Sequence, residues 1–252
     1  MEPETIATPA SVKPLSFIDG LTNIFAAPGE LFENVRLTPK RTSNWLIPTI
    51  ILIVVSLILG QLVMSNPSLV DQMSQMTKKQ MEQRVADGKM TQEQAAQAEA
   101  MASPTSPIVT ITRIVGTIIG IPLVLFLVAL VYWLLGKFTL KATAPYIKVV
   151  EVVGLTLYIG LLASLVTTIL VFLMNSLFAS PSLALAVSDY DLDNKFHHTL
   201  SVFNIFTIWS MIVTAIGLSK LFQRSFVKAL LVVVIPWVVW SAFSVLTGFR
   251  LG

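Results

Sequence analysis

Long uncharged stretches alternate with short polar connections along this chain. Five stretches contain no charged side chain and are each about 20 residues or longer, enough to cross a hydrocarbon core of roughly 30 Å as a helix. Apolar residues are continuous in them, without the two-residue alternation of a transmembrane barrel strand. Helices also satisfy their own backbone hydrogen bonds in lipid. The pattern therefore predicts an all-α membrane protein, a five-transmembrane-helix bundle with spans at about 45–64, 112–135, 149–174, 199–219 and 228–248.

Residues 1–43 precede the first span and form a predicted cytoplasmic N-terminal segment. The chain begins with acidic residues and has no apolar core in its first 30 positions, so a cleavable signal peptide is not expected. Ser16 with Asp19 resembles a capping box that opens a helix. Apolar residues then recur at helical spacing and continue after Pro28-Gly29. The predicted face comprises Phe17, Leu21, Ile24, Phe25 and Phe32.

This amphipathic helix has two interpretations. The favoured one is a helix that lies in the cytoplasmic membrane interface with its apolar face in lipid. The alternative is a helix that packs against the protein's own cytoplasmic loops. The first is preferred because the sequence contains no soluble domain that would supply a core for this face.

The longest polar stretch, residues 66–103, lies between the first two predicted spans. A helical pattern, an Asp87-Gly88-Lys89 turn and a capping box at Thr91 and Gln94 predict a helical hairpin outside the membrane. Its methionines either pack the two helices together or form an adaptable docking face.

Basic residues predict the orientation of the spans. They are concentrated before the first span and in the short connections 137–148 and 219–228, whereas 175–198 contains Lys195 alone. The positive-inside rule then places the N-terminus in the cytoplasm and the C-terminus on the outer side of the membrane. The hairpin carries four basic residues on the predicted outer side, which is the one discordant feature.

Composition narrows the function classes. Of the 252 residues, 54% are hydrophobic and only 12% are charged, which excludes an ordinary water-soluble enzyme because soluble domains carry roughly 25% charged residues. The chain has no cysteine, so thiolate chemistry and Cys-ligated metals are excluded. A formal net charge of +3 gives no reason to expect a nucleic-acid partner.

An acidic loop before the fourth span is the nearest approach to a metal site. Its alternating carboxylates resemble the first half of a calcium-binding loop, but Asn194 replaces the turn glycine and Leu200 replaces the closing glutamate. We therefore expect a solvated loop and no metal or other cofactor. The candidate ligands in this loop are Asp189, Asp191, Asp193 and His197.

Ionisable residues occur only at the ends of the predicted spans. Glu151 lies one turn after Lys148, which can pair with it, and Arg113 can extend to lipid headgroups. The absence of charge near the middle of any span argues against an ion-coupled carrier. The Gly116-x-x-x-Gly120 motif predicts close helix packing, within the chain rather than between two copies because Pro122 follows. No catalytic motif is present, and a non-enzymatic protein is expected.

The segment Pro28-Gly-Glu-Leu-Phe32 precedes the first span, and Tyr146-x-Lys148-Val-Val-x-Val-Val-Gly154 opens the third, within a five-span architecture that has basic inner connections. In these features the chain resembles the bacterial Yip1-domain family. The resemblance implies an all-helical integral membrane protein without known catalytic residues. It also implies a location in the bacterial inner (plasma) membrane, and some bacterial members resemble accessory proteins of ABC-type exporters.

Two functions follow from these features. The favoured one is an adaptor or regulatory subunit of a membrane complex such as an ABC-type exporter, in contact with the lipid bilayer and with a membrane-protein partner or a second copy of the chain. The alternative is a transporter, channel or lipid-moving protein in its own right. Polar residues of the third span, such as Thr156 and Ser164, would line its path, although such residues more often join helices.

Overall fold

The computed structural model describes residues 13, 15–187, 190–191 and 194–248. These residues form ten α-helices and a short 3-10 helix, Leu183–Ala186. The helices are α1 (Phe17–Ala26), α2 (Pro28–Leu37), α3 (Ser43–Met64), α4 (Pro67–Ala86), α5 (Gln92–Met101), α6 (Pro107–Leu140), α7 (Tyr146–Met174), α8 (Lys195–Val202), α9 (Ile205–Phe222) and α10 (Phe226–Thr247).

Five of these helices are long and apolar enough to cross a membrane: α3, α6, α7, α9 and α10. The predicted all-α membrane fold with five spans is therefore confirmed for the described part of the chain. Their outward surfaces carry many exposed aliphatic side chains, as expected of helices whose solvent is lipid.

Helix α7 is the centre of the bundle. It contacts α3, α6 and α9, and its first four turns contain most of its buried residues. Glycines allow two of these contacts to be close. A Cβ on Gly154 would lie 2.5 Å from the Trp45 backbone of α3, and one on Gly217 of α9 would lie 2.5 Å from the Val152 side chain. The helix axes can approach only because these positions carry no side chain.

Helices α1 and α2 pack onto the same end of the bundle, against α7 and α9. The predicted capping box of α1 is present, with Ser16 and Asp19 each accepting from the other's backbone N–H. Ile24 is 0% exposed and Phe32 is 1% exposed. These two residues of the predicted interfacial face therefore lie in the protein core and cannot contact lipid. Phe32 is buried because its ring lies over Gly217, where a Cβ would be 3.0 Å from it.

The fourth span begins later than the sequence predicted. The chain leaves helical geometry after α8, and Asn204 caps α9 by accepting a hydrogen bond from the Phe206 N–H at 2.9 Å. The Ile205 N–H donates to the carbonyl of Pro181 at 3.0 Å instead of continuing the helix. Residues 199–202 thus belong to a separate short helix. The break between α8 and α9 was not predicted because the sequence around it is uncharged. The second span is longer than predicted, because α6 runs from Pro107 to Leu140.

Helices α4 and α5 pack together in the region of the predicted hairpin. The capping box at Thr91 and Gln94 opens α5 as predicted. Hydrogen bonds connect α4 to the end of α7. The Gln72 side-chain amide donates to the Asn175 backbone carbonyl at 2.8 Å, and the Asn175 side-chain amide donates to the Ser68 hydroxyl at 2.9 Å.

Candidate functional site

A buried ion pair lies at the first turn of α7. The Lys148 ammonium is 3.2 Å from one Glu151 oxygen, and the two side chains are 7% and 0% exposed. The pairing follows from their three-residue spacing, as the sequence predicted. Their burial was not predicted, because the sequence suggested charges at a membrane edge.

Polar groups from the α2–α3 connection surround this pair. Lys148 also donates to the backbone carbonyls of Val35 at 2.7 Å and Pro39 at 3.1 Å. Glu151 accepts from the Arg41 backbone N–H at 3.1 Å and from the Asn44 side-chain amide at 2.7 Å. We call this group of residues, Val35, Pro39, Arg41, Asn44, Lys148 and Glu151, the anchor cluster.

The anchor cluster is saturated with protein partners. Three acceptors surround the three donors of the ammonium, and both carboxylate oxygens have donors. Such an arrangement stabilises two buried charges that would otherwise be costly. Its chemical role is therefore to hold the α2–α3 connection on α7. It does not present a free acid or base to a substrate.

Sequence reasoning missed the partners of this pair. Arg41 and Asn44 are separated from Glu151 by 110 and 107 positions, so that only the packing of α3 on α7 brings them together. The available signal was weak: an uncharged polar residue, Asn44, directly precedes the predicted first span.

A cleft of about 700 Å³ lies between α3, α6, α7 and α9. Arg113 is at one end, near the start of α6. Its guanidinium crosses to α3, where it donates to the Gln61 side chain at 3.2 Å and lies over Gly60, 2.9 Å from where a Cβ would be. Arg113 thus contacts a neighbouring helix. The predicted interaction with lipid headgroups stays a prediction.

The walls of the cleft are apolar with a few hydroxyl groups. Thr117 and Thr156 donate to carbonyls of their own helices at 2.8 and 2.7 Å. Thr214 of α9 is only 4% exposed and also lines the cleft. The four helices therefore leave an open gap here and not a packed seam.

Gly116 and Gly120 line this cleft and do not form a helix contact. A Cβ at either position would have no atom within 4 Å among the described residues. The predicted packing within the chain is therefore wrong at this motif. Close approach occurs elsewhere, at Gly154, Gly217 and Gly136, where a neighbouring side chain occupies the missing volume.

The acidic loop is described only in part. Asp189 and Asp193 lie outside the described residues. The Asp191 backbone N–H donates to Nδ1 of His197 at 3.0 Å, so this nitrogen closes the loop onto α8. His198 instead is buried, with Nε2 3.3 Å from the Ser244 hydroxyl of α10. The two adjacent histidines thus face different surroundings, and the described residues contain no group of three metal-ligating side chains.

Comparisons with known proteins identify the family. The Yip1 domain model matches residues 22–247, nearly the whole described chain. The chain belongs to the Yip1 family. This Yip1-family protein is also similar to "Membrane protein YknW" of Bacillus subtilis strain 168, with 29% identity over 208 residues that cover 79% of this chain and 77% of the relative. No solved structure matches it.

The matched region includes both sites described above. The Yip1 match contains the anchor cluster and the cleft, whereas Phe17 and Leu21 of α1 precede its first residue. The family resemblance inferred from the sequence is thereby confirmed. It establishes a multi-pass membrane protein.

Proposed function

We propose that this Yip1-family protein is a non-enzymatic accessory subunit, an adaptor that stabilises or regulates a membrane complex such as an ABC-type exporter. The anchor cluster carries this proposal. A buried ion pair with backbone and amide partners fixes α2 and the α2–α3 connection on α7, and α1 packs against α2 and α7, so its charges serve assembly and not chemistry.

The fixed helices support a docking role because they form a surface of defined shape. Helix α1 keeps Phe17, Ile18 and Phe25 exposed at 46%, 67% and 37%, beside the buried Ile24. The α4–α5 hairpin lies beyond the opposite end of α3. An accessory subunit with such surfaces can contact a partner on both sides of the membrane.

The orientation we propose is N-terminus cytoplasmic and C-terminus extracytoplasmic, in a bacterial plasma membrane. Basic residues support it because they are concentrated before α3 and around the α6–α7 and α9–α10 connections, including the adjoining helix ends. The anchor cluster and α1 would then lie at the cytoplasmic face.

The test is purification of the tagged full-length protein from its native membrane in a mild detergent. We expect the membrane-spanning subunit of an exporter to co-purify in a fixed ratio, and we expect loss of the tagged protein to reduce assembly of that exporter. The Glu151→Gln variant should reduce the co-purified fraction, whereas Glu33→Gln, at a partly exposed position of α2, should not. A protein that purifies alone and leaves exporter assembly unchanged when deleted contradicts the proposal.

The cleft favours a second candidate function, a transporter, channel or lipid-moving protein. A gap of about 700 Å³ between spans, with an arginine at one end, has the size of a ligand site. Purified protein in liposomes would then move a solute or lipid without any partner. If no such flux is measured with correctly inserted protein, this second function is rejected.

A further inference from the structure

We propose that the cleft binds one anionic phospholipid, with the headgroup phosphate at Arg113 and an acyl chain between α3, α6 and α7. This site is independent of the adaptor role proposed above. The position of the cleft, its charge and its walls together indicate this occupant.

The position of the cleft gives lipid access to it. It is formed by membrane-spanning helices and opens to their surroundings, where lipid is the solvent. Helix α6 has 34 residues and is about 50 Å long, so each end extends beyond a hydrocarbon core of roughly 30 Å. Arg113 lies less than two turns from the start of α6. That depth corresponds to the headgroup boundary.

The charge of the cleft favours an anion. Arg113 is half-buried, and among the described residues its side chain donates only to the neutral Gln61 amide. A guanidinium has five N–H donors in a planar fork that matches a phosphate group. No described carboxylate forms an ion pair with Arg113, so its charge is available to a ligand.

The walls of the cleft suit a lipid acyl chain better than the side chains of another helix. Below Arg113 the α6 wall includes Gly116 and Gly120, with open space in front of both, and Thr117 between them. Farther along, the lining residues include Leu52, Ile121 and Val124. An acyl chain can lie on this smooth apolar wall, and the volume of about 700 Å³ is within the range of roughly 300–1,000 Å³ of ligand pockets.

The test compares lipids retained by the full-length protein from nanodiscs that contain phosphatidylglycerol and phosphatidylcholine. Native mass spectrometry after mild detergent transfer measures the bound lipid. We expect preferential retention of one phosphatidylglycerol by the unmodified protein. Arg113→Gln should reduce its retention about tenfold or more, since charge-assisted hydrogen bonds are lost. The matched control is Arg84→Gln, which removes an exposed charge from α4.

A second variant tests the chain part of the site. Gly120→Leu would fill the open space in front of α6 and should displace the lipid although Arg113 is intact. A photoreactive phosphatidylglycerol with its label in the acyl chain should form adducts with α6 in the unmodified protein and lose them in this variant.

Three results would overturn the proposal. The first is equal retention of phosphatidylglycerol and phosphatidylcholine by the unmodified protein. The second is an equal loss of bound phosphatidylglycerol in Arg113→Gln and Arg84→Gln. The third is a photoreactive lipid that forms its adducts outside the cleft helices, or a helix of a partner protein that is cross-linked in the cleft instead. The first comparison needs no variant, so a substitution that prevents folding leaves the proposal testable.

Discussion

At the residue scale, the two charges at the start of α7 show what spacing can and cannot predict. Lys148 and Glu151 are three positions apart on a helix, and this alone predicts their pairing. The burial of their side chains depends on Val35, Pro39 and Arg41, which belong to a distant part of the sequence. Local sequence predicts a pair, whereas tertiary packing makes it a buried anchor.

We predict that breaking the pair destabilises the protein strongly. Glu151→Gln leaves the Lys148 ammonium buried without its counter-charge, and removal of one partner of a buried ion pair costs about 3–5 kcal/mol. The loss should appear as a reduced free energy of unfolding in a detergent titration. Replacement of both residues, Lys148→Met with Glu151→Leu, should cost less than either single change because no unpaired charge remains.

The matched control is the ion pair between Glu33 and Arg36 on α2. It has the same three-residue spacing, but its side chains are 37% and 27% exposed. The hydrogen bond from Arg36 lowers the pKa of the Glu33 carboxyl, but solvent screens the pair. Glu33→Gln should change the unfolding free energy by less than about 1 kcal/mol. Equal effects of Glu33→Gln and Glu151→Gln would show that the buried pair is not an anchor.

At the element scale, helix existence was predictable and helix contacts were not. Continuous apolar runs predicted all five spans, and the capping boxes at Ser16 and Thr91 marked two further helix starts correctly. The break before α9 was not predicted, because the residue that caps this helix, Asn204, lies inside an uncharged stretch. The motif at Gly116 and Gly120 predicted packing in the wrong place, since small residues permit close contact without specifying a neighbour.

We predict that Gly154 sets the distance between α3 and α7. A methyl group there would lie against Cβ and the backbone of Trp45, so Gly154→Ala should lower the unfolding free energy by about 1–3 kcal/mol through overpacking. Gly160→Ala on the same helix is the control, because its Cβ would have no neighbour within 4 Å. If both variants unfold alike in the same detergent titration, the close α3–α7 contact is not present in the protein.

We predict that the exposed apolar side of α1 contacts lipid. Phe17, Ile18 and Phe25 remain outside the core, and burial of such a side chain contributes about 1.5–3 kcal/mol. The chain has no cysteine, so a single nitroxide can be placed at Ile18→Cys or, as a control on the polar side of α1, at Thr22→Cys. In nanodiscs the label at position 18 should be more accessible to oxygen than to a polar nickel chelate, and the label at position 22 should show the reverse.

The opposite outcome for α1 also has a clear meaning. If the nickel chelate reaches both labels equally, α1 faces water. The interfacial placement of this helix would then be wrong.

At the scale of the whole molecule, the sequence predicted the protein class, whereas the cleft inside the helix bundle is visible only in the structure. A charged fraction of 12% and five apolar runs are enough to predict a multi-pass membrane protein. The cleft between α3, α6, α7 and α9 was not predictable, because its lining comes from four separated helices whose packing no local pattern encodes.

We propose that α1, α2 and the anchor cluster lie at the cytoplasmic face while the α4–α5 hairpin lies on the other side of the membrane. Single cysteines at exposed Lys40, next to the anchor cluster, and exposed Glu93 of α5 test it most directly in a chain without native cysteines. With an impermeant thiol reagent on intact cells, we expect Glu93→Cys to be labelled and Lys40→Cys to be labelled only after permeabilisation. Labelling of both in intact cells, or of Lys40→Cys alone, would contradict the account.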